Sequence, residues 1–184
     1  MPGLLPLHTL RLVLRHFRAT DVPLFFAYRN DPEVARWQSW EGITLEAAAG
    51  FARDFASGGP APPGEWFQIA VAERATDGLV GDCALKLLAE EPGGAEIGFT
   101  FAREHQGRGY AFEAVGRLVE HLFDGLGLDR VVAETDAENV RSSRLLGRLG
   151  MVHVGSGTVW FKGRLSEEHR YALEREAWRH GRVT

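Results

Sequence analysis

The 184-residue chain has one cysteine, Cys83, which excludes an intrachain disulfide framework and every zinc pattern built on several cysteines. A reducing compartment fits that count. The net charge is −4 and no basic block occurs, so a nucleic-acid-binding role lacks its electrostatic footprint, and an anionic ligand has to be held by a local site. No apolar run reaches the roughly 18 residues of a membrane span. The first seven residues are broken by prolines and carry no basic flank, unlike a leader peptide. These absences predict a cytoplasmic protein with no membrane partner. None of the seven histidines falls in H-E-x-x-H spacing, so neither a metal hydrolase nor a bound metal is expected. What is present is ordinary: 45% hydrophobic and 25% charged residues exclude disordered and fibrous classes and suit one domain over 1–184.

Apolar periodicity predicts a mixed α/β fold. Leu10, Leu12 and Leu14 alternate with Arg11 and Arg15 in a half-buried strand over 10–17. Thr20, Asp21 and Pro23 then supply the cap, acid and first-turn proline of a helix running to about Asn30. Asp31 and Pro32 open a short helix, and Thr44 opens another to about Ser57. Three prolines and three glycines make 58–64 a loop. Alternation over 66–73 and a turn at Thr76, Asp77 and Gly78 leading into 79–88 predict a hairpin that holds Cys83 as a small core residue.

Over Ala95–Phe101 a strand places Ile97, Phe99 and Phe101 on one face and Glu96 on the other, unless Gly98 marks a bulge. From Tyr110 a helix shows the stripe Ala111, Val115, Leu118, Val119, Leu122 and Phe123, stopped by Gly125 and Gly127. Arg130–Thr135 reads as a buried strand, and a helix follows Asn139 through Leu149. A strand over 151–164 is split by Gly155 and Gly157. The closing strand spans His169–Leu173, although helical spacing also fits 168–178. The order β-α-α-β-β-β-α-β-α-β-β argues for one mixed α/β domain.

Between the strand at 95–101 and the helix from Tyr110 lies Gln106-Gly107-Arg108-Gly109-Tyr110-Ala111. Its glycines allow a tight loop whose N–H groups approach a ligand at a helix N-terminus, which is the geometry of a phosphate site. A P-loop is excluded because no Gly-Lys pair is followed by Ser or Thr. A dinucleotide fingerprint is excluded because Phe112 stands where its third glycine belongs. What remains, Gln106-x-x-Gly109-x-Ala111, resembles the pyrophosphate motif of the GCN5-related N-acetyltransferases (GNAT). Asn139, Ser142, Leu145, Gly150 and Met151 resemble that family's second signature. With Glu96-Ile97-Gly98-Phe99 before the loop and Tyr171 to Trp178 at the close, the chain looks like the RimJ/RimL branch from end to end.

The resemblance implies a mostly antiparallel twisted sheet of about seven strands, flanked by helices. Its fourth and fifth strands, here Ala95–Phe101 and Arg130–Thr135, splay to admit the pantetheine arm of acetyl-CoA. It implies pantetheine contacts at Phe99, Thr100 and Phe101, and a pyrophosphate cradle from Gln106, Gly107, Arg108, Gly109, Tyr110 and Ala111. Asn139 and Ser142 are implied cofactor contacts, with helix capping the simpler reading for Asn139. An alkyl amine with a pKa near ~10 needs a base before it can attack a thioester. Glu96 matches the family's base, and the Phe99 N–H is the candidate oxyanion donor. The family's usual tyrosine acid is here Leu146, which leaves Ser142 as a possible thiolate partner or simply a small packing residue.

Trp37 and Trp40 either wall the acceptor cleft or seal a helix against the sheet. The implied activity is acetyl transfer to a primary amine, a protein N-terminus or a small molecule. The alternative is an acyl-CoA-binding sensor without catalysis. A homodimer is the expected assembly.

Overall fold

Leu12 and Leu14, both fully buried, anchor strand β2 (Leu12–Arg15) in the computed structural model, which describes residues 4–181. Before it, β1 (Leu7–His8) pairs back onto β2 through a turn closed by Thr9, whose hydroxyl accepts the Leu12 N–H at 2.8 Å. Leu10 therefore lies exposed in a turn, and the single strand expected over 10–17 is a small hairpin. This brings the sheet to eight strands, beside the expected seven or so.

The remaining strands are β3 (Trp66–Glu73), β4 (Leu79–Leu87), β5 (Gly94–Phe101), β6 (Arg130–Asp136), β7 (Val152–Phe161) and β8 (Arg164–Glu174). Their spatial order is β1-β2-β3-β4-β5-β6-β8-β7, and only β5 and β6 run parallel. The stretch over 151–164 is one strand with its irregularity between His153 and Gly155, and it turns at Lys162 and Gly163. Pairing on both edges, with β6 and β7, draws β8 out to eleven residues. The helical spacing near the C-terminus is realised only in α6 (Arg175–Gly181).

Helices cover both faces. On one, α1 (Val22–Arg29), α2 (Pro32–Ala35) and α3 (Leu45–Asp54) pack Phe25, Tyr28, Ala48 and Ala52 against Ala70 and Leu79 of the sheet. Phe25 stacks on Phe51 with centroids 4.6 Å apart. A buried ion pair sets the entry of α1, with Arg15 giving two hydrogen bonds to Asp21 at 2.7 and 2.9 Å. On the other face lie α4 (Tyr110–Glu120), closed by a wider turn over His121–Gly125, and α5 (Val140–Arg148). The α4 residues Ala114, Val115, Leu118 and Val119 face Leu85, Ile97 and Phe101 in the larger core. Each such fully buried large apolar side chain contributes on the order of 2 kcal/mol.

One close approach fixes β4 against β5. A Cβ on Gly81 would stand 2.4 Å from the Thr100 carbonyl oxygen, so only glycine lets these backbones meet. Pairing continues unbroken from Gly81–Phe101 to Leu87–Ala95, with Ala84 opposite Gly98. Gly98 is therefore no bulge, and Glu96 faces away from Ile97 and Phe99.

Candidate active site

The two parallel strands pair only at Gly94–Arg130, Ala95–Val131 and Glu96–Val132. Beyond that point β5 stays with β4 while β6 follows β8, and the sheet forks. Two hydrogen bonds bracket β5: Leu88 N–H to the Gly94 carbonyl and Ala102 N–H to the Val80 carbonyl, both 3.0 Å. In an antiparallel pair such residues alternate, so even-numbered positions of β5 turn their backbone groups to β4 and odd-numbered ones turn theirs into the fork. Ile97, Phe99 and Phe101 thus present N–H and carbonyl groups to the fork. The Phe101 carbonyl already accepts from Gln106 Nε2 at 3.0 Å. Thr100 points its backbone at Asp82 of β4, and its side chain is buried.

At the mouth of the fork, Gly107 and Gly109 hold φ values of 73° and 79°, a left-handed conformation that disfavours any side chain. Gly109 caps α4 without a side-chain hydrogen bond, whereas Asn139 caps α5 by accepting the Ser142 N–H at 3.2 Å. The first-turn N–H groups of α4 consequently keep their donors for a ligand. The structure brings together all six loop residues, Gln106 to Ala111, and ties Gln106 to α5 through Arg141 at 3.2 Å.

The loop is anchored from the β1–β2 turn. Arg11 donates to the Arg108 carbonyl at 2.9 Å and to Glu113 at 2.7 Å, and Glu113 also accepts the Arg11 N–H and the Thr9 hydroxyl. Partial burial opposes the Glu113 carboxylate, but the hydrogen bonds from Thr9 and Arg11 outweigh it and hold the carboxyl below its usual range. Tyr110 donates its hydroxyl to Glu73 at 2.7 Å; that bond pulls the Glu73 carboxyl down and pushes the phenol up.

On the α1–α3 side of the fork, Glu96 pairs with Lys86 across β4 and β5 at 2.5 Å, and the Lys86 ammonium rests 4.6 Å over Trp66. Glu134, Asp136 and Glu168 gather nearby. Burial, with the charges of Glu134, Glu96 and Asp136, pushes the Glu168 carboxyl above its usual range. Trp40 lies on the Arg29 guanidinium at 3.6 Å, and Arg29 reaches Asp82 at 3.4 Å. Tyr28 also donates to Asp82, whose carboxyl is pushed up by burial. Trp37 is covered by Arg36 at 4.4 Å, apart from this stack.

Cys83 is fully buried, and burial drives its thiol well above the ordinary range, so it is no nucleophile. Leu146 is equally buried, in the larger core, and Ser142 is half-buried at the first turn of α5.

Lys86, Asp82, Arg29 and Arg11 escaped the sequence reading. Asp82 and Lys86 do interrupt an otherwise apolar strand, which is a signal. Arg11 passed as the polar face of a strand, and its contact with a loop about a hundred residues away has no local signature.

Residues 11–152 match the family model described as an acetyltransferase (GNAT) domain. An uncharacterized N-acetyltransferase, p20, of Bacillus licheniformis is 32% identical over 171 residues, 91% of this chain and 94% of that protein. Among solved structures, a GNAT-family acetyltransferase from Bacillus anthracis superposes with a TM-score of 0.81 at 24% identity, covering 94% of this chain and 99% of that one. The spermidine N-acetyltransferase of Vibrio cholerae, solved with CoA and spermine, gives 0.76 at 18% identity, covering 91% and 97%. Family match, relatives and fold agree: this chain belongs to the GNAT acetyltransferases, enzymes that move an acetyl group from acetyl-CoA to an amine.

Proposed function

We propose that this enzyme acetylates a cationic primary amine by direct attack on acetyl-CoA in a ternary complex. The observation that carries the reading is the fork itself. Its root holds Glu96, its edge offers the unpaired backbone of Ile97 and Phe99, and its mouth is the uncapped N-terminus of α4.

The roles follow from this chemistry. N–H groups from Gly107 to Ala111 receive the diphosphate, with Arg108 as an added cation. The pantetheine amides pair with the odd-numbered backbone of β5 as a neighbouring strand would. Glu96 takes a proton from the acceptor ammonium, directly or through water. The freed lone pair attacks the thioester carbon while the Phe99 N–H holds the developing oxyanion. The C–N bond forms and the C–S bond breaks. The sulfur leaves as a thiolate, for which a pKa near ~8.5 requires no side-chain acid, and it takes up, directly or through water, the second proton that the nitrogen sheds on becoming an amide. That fits a core leucine at 146.

Glu96, Glu134, Asp136 and Glu168 outnumber the cations that pair with them, Lys86, Arg170 and Arg164, and the small negative excess at this end favours an acceptor carrying positive charge. A polyamine-like small molecule and an unblocked protein N-terminus both meet that description. Trp40 and Trp37 are proposed as the outer wall.

Thiol release from acetyl-CoA across peptides, polyamines, aminoglycosides and amino acids tests the activity and identifies the acceptor class. Glu96→Gln is expected to lower kcat about a hundredfold while binding of acetyl-CoA persists. Unchanged turnover in that variant would remove Glu96 from the mechanism.

A further inference from the structure

Only two of the chain's 21 basic residues are lysines, Lys86 and Lys162, so few of its own side chains carry a primary amine. Their ammonium groups are held in different ways. Lys162, at the turn between β7 and β8, donates to the backbone carbonyls of Ala35 and Trp40 at 2.8 and 2.6 Å, and no carboxylate pairs with it among the described residues. Lys86 stands instead at the root of the fork. Strand register sets it directly opposite Glu96, and its Nζ lies 2.5 Å from Glu96 Oε2. The Trp66 ring lies 4.6 Å from the same ammonium. The Lys86 side chain is 24% exposed and that of Glu96 15%, a pair recessed enough that a second enzyme molecule has poor access to it.

We infer that Lys86 is a self-acetylation site: with acetyl-CoA bound and no acceptor present, the enzyme transfers the acetyl group to its own Lys86 Nζ. The inference rests on the proposed reading of acetyl-CoA as donor and Glu96 as base. On that reading the amine that Glu96 deprotonates becomes the nucleophile, and in the free protein the amine at Glu96 is Lys86. Glu96 takes one proton from the ammonium, Nζ bonds to the acetyl carbon, and the C–S bond breaks. The departing thiolate takes up the second proton that the nitrogen sheds on becoming an amide. Acetylation removes the lysine charge, so the ion pair with Glu96 is lost. Residue 86 then no longer opposes a cationic acceptor at that carboxylate. Lys162 stays unmodified, because two carbonyls hold its ammonium and no base adjoins it.

Incubation of the intact protein with acetyl-CoA alone, followed over time by intact mass and peptide mapping, tests this. The expected result is one acetyl group per chain, mapped to Lys86, at a rate per molecule that does not change with protein concentration. Glu96→Gln slows the modification about a hundredfold, and Lys86→Arg, which keeps the cation but offers no acylable amine, abolishes it. Labelling of Lys162 to the same extent, or labelling of Lys86 that persists at full rate in Glu96→Gln, would mean chemical acetylation without catalysis and overturn the inference. A rate that rises with protein concentration would overturn the transfer within one molecule. Calorimetry with acetyl-CoA separates the two readings. Binding without any acetylation of Lys86 overturns this inference alone, whereas absence of binding sinks the donor reading and the inference with it.

Discussion

Lys86 Nζ and Glu96 Oε2 stand 2.5 Å apart across two neighbouring strands, so the carboxylate at the root of the fork already holds a cation of the chain's own. In the proposed mechanism an acceptor ammonium approaches the same carboxylate against that charge. Lys86→Met keeps the aliphatic stem over Trp66 and removes the repulsion. The expected result is an acceptor KM lowered about fivefold, from roughly 1 kcal/mol of repulsion at a partly exposed site. The KM for acetyl-CoA stays put, and the gain shrinks as salt is added. A raised acceptor KM would mean that Lys86 serves to orient Glu96.

Arg11 reaches the anion loop from the far end of the chain. Its bond to the Arg108 carbonyl holds the loop, and its pairing with Glu113 neutralises an acid in the first turn of α4, where a phosphate would otherwise meet like charge. Arg11→Ala frees both. The KM for acetyl-CoA is expected to rise about tenfold with little change in kcat at saturating donor, and Arg11→Lys recovers part of it. A variant that lost kcat and KM together would mark a general structural role.

Asp82, Arg29 and Tyr28 form a buried polar knot between α1 and β4, roofed by Trp40. Removing one charged partner leaves the other buried and uncompensated. Arg29→Met is therefore expected to destabilise the protein by about 3 kcal/mol in denaturant unfolding, and adding Asp82→Asn should return much of that loss. Additive losses in the double variant would show that the two charges are not coupled.

These cases mark what was legible in the residues. β3, by its period-two alternation, and β4, by the Thr76-Asp77-Gly78 turn before it, appear nearly where expected. The loop and the α4 onset were readable because left-handed glycines next to a helix start have a local cause. The Thr9 turn was not, because Leu10 and Leu12 share the alternation of a strand and the cap that reverses the chain is one hydroxyl. Lys86 opposite Glu96 depends on hairpin register, and Arg11 on long-range packing; neither leaves a trace at short separation. The fork is likewise a tertiary event, since β5 and β6 pair for three residues and then follow different neighbours.

Glu168 shows how the acidic end weighs on the fold. Its carboxyl lies above the usual range, first through burial and then through Glu134, Glu96 and Asp136. For an acid, a raised folded pKa means the native state holds the proton more tightly than the unfolded chain does. Ionisation therefore costs stability as pH rises through the unfolded value near ~4.3, and the penalty levels off above the folded value. Glu168→Gln removes it. The variant is expected to be more stable than the native protein at pH 7 by about 0.5 kcal/mol, a small figure because solvent screens a partly exposed group, and to match it below about pH 4. The same change takes one negative charge from the proposed acceptor end, so kcat/KM for a cationic amine should fall about threefold. Stability gained with activity lost, both fading at low pH or high salt, is the signature of a carboxylate kept for binding. If activity toward every cationic amine were unchanged while stability rose, the acidic end would have no part in acceptor choice.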